Sequence, residues 1–148
     1  SVIDKIINEA NKLAGEKFDP DTPVTSLSGG QSRALMIADT AILSSSPIVL
    51  IDEIENAGID RKKALHLLVG EEKIVLMATH DPLLALMGDK RIVINNGGIK
   101  KLINTSDEEK DILSGLEKMD SIVQKMRKKL RYGELLSSED LKEENKNA

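Results

Sequence analysis

The 148-residue chain has no cysteine, no tryptophan, one phenylalanine and one tyrosine. Without cysteine there is no disulfide framework, no thiolate zinc site and no cysteine nucleophile. Two aromatic residues are too few for a platform on which single-stranded bases could stack. No apolar run approaches the ~18 residues of a membrane span. The first thirteen residues are too polar for a signal peptide, and a cytoplasmic location is the default expectation. A basic excess is missing too: 21 Lys and Arg stand against 25 Asp and Glu, for a formal net charge of −4. That balance argues against general affinity for nucleic acid through phosphate neutralisation.

What remains is 40% apolar and 31% charged, the composition of a globular chain. Its length suggests one domain of ordinary size. Val2, Ile3, Ile6, Ile7, Ala10 and Leu13 fall on one helical face. Residues 19–23 form a turn-rich connector, and a second helix is expected over 29–43. Ile48-Val49-Leu50-Ile51 and the run 73–78 read as strands buried on both faces, as in a parallel sheet. A short helix capped by Asp60 lies between them, which makes a βαβ unit. Asp81-Pro82 opens another short helix, and Asn95-Asn96-Gly97-Gly98 is a hairpin turn between strands 91–94 and 99–103. An amphipathic helix is expected over 107–132, followed by a polar tail from Ser137 that reads as disordered.

Three motifs can carry chemistry. Leu27-Ser28-Gly29-Gly30-Gln31 stands at the mouth of the second helix, where unpaired amides and the helix dipole attract an anion. Ser28 and Gln31 also fit an ordinary capping box, but a cap has no need of the two glycines. Asp52 and Glu53 end the first strand, where open α/β sheets bind ligands. Asp52 would reach a magnesium ion and Glu53 could polarise an attacking water; the bland alternative is the start of a solvated loop. Thr79-His80-Asp81 ends the neighbouring strand, so His80 could meet a phosphate or simply sit on the surface. His66 lies in a leucine-rich helix and receives no role.

In this order and spacing, the motifs resemble the ABC ATPase family over about residues 2–103. Ser28, Gly29, Gly30 and Gln31 look like its signature loop, and Val49 to Asp52 like its Walker B strand. Glu53 looks like the catalytic carboxylate, Ala57-Gly58-Ile59-Asp60 like the D-loop and His80 like the switch histidine. The resemblance implies ATP and Mg2+ as ligands, with Ser28 to Gln31 and Asp60 serving the nucleotide and Asp52 the metal. It also implies hydrolysis between two head-to-tail cassettes, whose dimerisation is coupled to work. Transport through a membrane-spanning partner subunit is the leading reading. The alternatives are a soluble ABC ATPase acting on nucleic acid or another macromolecule, and a non-catalytic half that presents its signature loop in trans.

Departures from the family pattern matter as much. None of the ten glycines is followed by lysine, so the P-loop sequence is absent, and no glutamine precedes the signature. The expected fold is therefore α/β: a partial P-loop NTPase parallel sheet with flanking helices, a β-hairpin and a long C-terminal helix. The segments are a helical signature portion at 1–46, an α/β core portion at 47–104, the helix at 105–136 and the tail at 137–148. On this reading the chain is the C-terminal portion of a cassette, inactive alone and completed by a P-loop-bearing half. Asp52-Glu53-Ile54-Glu55-Asn56 departs from the transporter pattern towards soluble structural-maintenance and repair ATPases, and Glu55 competes with Glu53. Ile112, Leu116, Met119, Val123, Met126 and Leu130 form a short heptad seam, expected to pack on the domain or the missing half rather than form a coiled coil.

Overall fold

The computed structural model describes residues 1–52, 54 and 58–142. Glu53, Glu55, Asn56, Ala57 and residues 143–148 lie outside the described residues. The chain forms two compact units, Ser1–Asp81 and Pro82–Ala148, which divide it inside the segment grouped as 47–104 from the sequence.

The first unit begins with α1 (Val2–Leu13), whose N-terminus is closed by a reciprocal Ser1–Asp4 capping box. α1 buries Ile6, Ala10 and Leu13, the helical spacing read from the sequence. A 3-10 turn (Val24–Ser26) leads into α2 (Gly29–Ile42), which buries Ala34, Ile37, Ala38 and Ala41. Ala10, Ala34 and Ala38 are completely buried, and α1 packs against α2. Small side chains there let the two helix backbones approach closely.

β1 (Ile48–Asp52) and β2 (Ile74–Ala78) pair in parallel, with Ile48 opposite Ile74 and Asp52 opposite Ala78. Parallel neighbours need a crossover, supplied by α3 (Arg61–Gly70), which buries Ala64, Leu65 and Leu68. The Lys73 ammonium donates to the Ser44 and Ser46 carbonyls, tying the end of α2 to the start of β2.

The strands are not buried on both faces as expected. Side chains alternate along a strand, and only Val49 of the two strands is buried, with Ile51, Val75 and Met77 partly covered beside it. Ile48, Leu50, Ile74 and Leu76 share the opposite face and are exposed, Leu50 by 76%. A single crossover helix covers one face of a sheet, and within this unit no described element covers the other.

The second unit starts with α4 (Pro82–Met87), which buries Leu83 and Leu84. β3 (Lys90–Asn95) and β4 (Gly98–Asn104) form the expected antiparallel hairpin. Its turn residues Asn96 and Gly97 both have positive φ, as a two-residue turn matched to strand twist requires. α5 (Asp107–Arg131) opens on a Ser106–Glu109 capping box and has no buried residue. Hydrogen bonds from the Ser106 amide and Arg91 hold the Glu109 carboxyl below the usual range. Gly133, at positive φ, closes α5: its amide reaches the Leu130 carbonyl, and the Glu134 amide reaches that of Lys129.

The tail was expected to be disordered from Ser137, but Ser138–Leu141 forms a 3-10 turn. Asp140 is the reason. It is only 2% exposed, lies 2.6 Å from the Lys129 ammonium and accepts the Ser137 amide at 2.8 Å. The Lys129 and Ser137 hydrogen bonds lower the Asp140 pKa, and the Asp140 partner raises that of Lys129.

Leu68→Ala should cost about 2–5 kcal/mol of folding free energy, because it empties a fully enclosed site. Leu50→Ala, on the open strand face, should stay within about 0.5 kcal/mol. Urea unfolding of the two variants checks both. The ionised form of Asp140 is favoured by docking, so docking strength is complete above the ordinary aspartate range and is lost as pH falls through the lowered pKa. Amide chemical shifts of Ser137 and Asp140 should move towards random-coil values in that acid window, and Asp140→Asn should show the same shifts at neutral pH.

Candidate functional site

The signature residues take their positions from helix capping. The Gln31 amide donates to Ser28 Oγ at 3.2 Å, and the Ser28 amide donates to Gln31 Oε1 at 2.9 Å. Gln31 goes further than a cap, because its Nε2 donates to the Glu16 and Lys17 carbonyls at 3.4 and 3.3 Å. The next residue of that loop, Phe18, is held by Asn11 through two hydrogen bonds of 2.9 Å. The Gln31 side chain is thus spent inside the chain, joining the N-terminus of α2 to the loop after α1.

The amides of Gly29 and Gly30 take no part in that capping box. As the first two residues of α2, they have no carbonyl one turn earlier in the helix to bind their amides. A methyl group placed on Gly29 would meet nothing within 4 Å, so the space beside that residue is open. Gly30 lies against Gly58, where a methyl group would stand 3.7 Å from the Gly30 Cα. Gly58 has φ +64°, a conformation that strains any side-chain-bearing residue. The start of α2 and the segment before α3, read from the sequence as signature loop and D-loop, therefore meet at Gly30 and Gly58.

Ile59 and Asp60 are fixed from two sides. The Asp60 amide donates to the Leu13 carbonyl at 2.9 Å, and Ile59 makes an antiparallel bridge with Ala14. Asp60 then caps α3 by accepting the Lys63 amide at 3.1 Å, as its position in the sequence implied. Arg61, one residue further, reaches the Asp81 carboxylate at 2.7 Å with only 10% of its side chain exposed. The Asp81 amide in turn donates to Thr79 Oγ1 at 3.0 Å. These contacts place the segment carrying His80 beside the start of α3.

Asp52 lies opposite Ala78 in the strand register, so it and Thr79-His80 leave the sheet at one edge. Ser28, Gly29, Asp52, Asp60 and His80 are all exposed, and Gln31 is partly so. Glu53, expected to be the catalytic acid, is outside the described residues, as is its rival Glu55. Among the described residues no group of three acid or histidine side chains converges to hold a metal. A single exposed carboxylate such as that of Asp52 suits Mg2+, which takes one or two protein carboxylates and completes its shell with phosphate and water. His66 is exposed on α3. Sequence reading missed Arg61 and Asn11; an arginine just inside a helix start and an asparagine near a helix end carry no distinctive local signal.

An uncharacterised ABC transporter ATP-binding protein from Methanocaldococcus jannaschii is 54% identical over 141 residues. The alignment covers 95% of this chain. That similarity supports the ABC ATPase family. The chain spans about half the length of this curated relative, 54% of it. No protein-family model matches the chain, and no solved structure matches it significantly. The mixed helix and strand content, with one parallel and one antiparallel pair, is compatible with the α/β class expected from the ABC motifs. No helix among the described residues is long and apolar enough to cross a membrane.

Two glycine substitutions separate the local requirements. Gly58→Ala should lower folding stability by about 1–2 kcal/mol through the forced positive φ, since the added methyl makes only ordinary contact with Gly30. Gly29→Ala, in open space at a helical position, should be neutral or stabilising by up to about 1 kcal/mol. Thermal unfolding of both proteins tests the contrast.

Proposed function

We propose that this chain is the signature and Walker B portion of an ABC-type ATPase module that couples ATP-driven dimerisation to work. The observation that carries the proposal is the joining of the motif segments within one unit. Gly30 of the proposed signature loop neighbours Gly58 of the proposed D-loop, Arg61 holds the His80 segment, and Asp52 ends the strand beside it. In this reading the first-turn amides of Gly29 and Gly30, with Ser28 and Asp60, face the nucleotide of an opposing cassette, and Gln31 serves it by holding the loop in place through its own side-chain bonds. Asp52 would hold Mg2+, which supplies charge neutralisation at the phosphates. Glu53 orients and polarises the attacking water, and His80 contacts the transferred phosphoryl group.

A P-loop-bearing segment must supply the phosphate cradle that these residues lack. The open face of Ile48, Leu50, Ile74 and Leu76 supports such a complement, since a contiguous apolar sheet face is normally covered. Transport is the work that the relative's name favours, with a membrane-spanning subunit as partner and a cytoplasmic position for the module. The second reading, a soluble ABC ATPase acting on a macromolecule, draws on the run Asp52-Glu53-Ile54-Glu55-Asn56.

The chain by itself should show no ATP turnover with magnesium. Joined to a P-loop-bearing segment, it should hydrolyse ATP, and Glu53→Gln should slow that at least ~100-fold, or ~2.7 kcal/mol of barrier. ATP binding and ATP-dependent dimerisation should survive the substitution. Turnover by the chain alone would refute the division of labour, and the same loss from Glu55→Gln instead would move the catalytic acid.

A further inference from the structure

α5 carries an apolar stripe without a described partner, and its pattern identifies what fits it. Ile112, Met119, Val123 and Leu130 are 42–64% exposed, although α5 also contacts α4 and the 138–141 turn. At 3.6 residues per turn these four lie within about 40° of one another, a straight line along the helix. Their spacing of seven, four and seven is the same read in either direction. Turning a second copy end for end therefore sets Ile112 opposite Leu130 and Met119 opposite Val123, with no residue out of step. The inner seam residues Leu116 and Met126, partly exposed, also become partners.

Charge selects the same arrangement. Residues 107–111 contain four acids, Asp107, Glu108, Glu109 and Asp111, against Lys110 alone. Residues 127–131 contain four bases, Arg127, Lys128, Lys129 and Arg131, and no acid. Parallel pairing would bring acid to acid and base to base at the two ends. Antiparallel pairing brings each acidic end to a basic end. Pairs within the chain reduce this contrast without reversing it: Arg91 takes Glu109, Lys110 takes Asp107 and Asp140 takes Lys129. The helix dipole accounts for acids at the start and bases at the end, but not for a palindromic apolar line.

We infer that α5 is a self-association surface, pairing antiparallel with α5 of a second copy of this chain about a two-fold axis. A surface complementary to itself under such a rotation closes a dimer and leaves no open end. This pairing needs no nucleotide, so it is separate from the ATP-driven dimerisation proposed above and does not rest on it.

The absence of cysteine makes the test direct. In the full chain without nucleotide, Ile112→Cys and Leu130→Cys are each oxidised alone and then mixed. Residues 112 and 130 are ~27 Å apart along one helix, so the antiparallel pair should give a disulfide-linked dimer in the mixture and little from either variant alone. Sedimentation should show a dimer that gives way to monomer in Met119→Glu, with unfolding unchanged because Met119 is exposed. A monomer at every concentration up to about 1 mM would overturn the proposal. So would a dimer untouched by Met119→Glu, or linkage of Ile112→Cys to itself.

Discussion

The parallel pairing of β1 with β2 is the constraint on which the first unit depends. Two parallel strands cannot be joined by a turn, so the chain must leave Asp52, cross over through α3 and return at Ile74. That route puts the ends of both strands at one edge, which is why Asp52 and His80 are neighbours although 28 positions separate their numbers. It also delivers the start of α3 to the same edge, where Asp60 caps the helix and Arg61 secures the segment after β2. The end of α1 then reaches the D-loop through the Leu13 carbonyl and the Ala14 bridge. Surface residues are held in place here by a fold whose connectivity allows few alternatives.

Regular elements were legible because their signals are local. The caps Ser28, Asp60 and Ser106 start helices where expected, and α2 and α5 end within one residue of the bounds read from the sequence. The turn at Asn96-Gly97 is equally local, since those residue types tolerate positive φ. What depended on tertiary context was less legible. Four consecutive apolar residues, Ile48 to Ile51, look the same whether one strand face is covered or two, and in this unit only one is. The turn at Ser138–Leu141 escaped notice because a polar tail carries no apolar periodicity; a single enclosed aspartate paired with Lys129 orders it. Of the site, motif order supplied the residue names. The contacts that join the motifs, Gly30 to Gly58 and Arg61 to Asp81, are long-range and left no mark in the spacing.

The capping box at Ser28 and Gln31 bears on how a motif can be both structural and functional. A cap consumes specific groups: the Ser28 hydroxyl takes the Gln31 amide, and the Gln31 carboxamide takes the Ser28 amide. The bland reading of that motif is therefore realised in full. It does not exhaust the helix end, because a capping box satisfies only some of the first-turn donors. Those at Gly29 and Gly30 belong to residues without side chains, one beneath open space and the other against Gly58. Gly30 has Gly58 as a near neighbour, and the glycine at position 58 is required by its own positive φ. No packing contact calls for a glycine at position 29, where a methyl group has room and a better helix former would strengthen α2. On the proposed function, a residue there that costs helix stability and fills no steric need serves the close approach of an anion to the backbone at the positive end of the helix dipole.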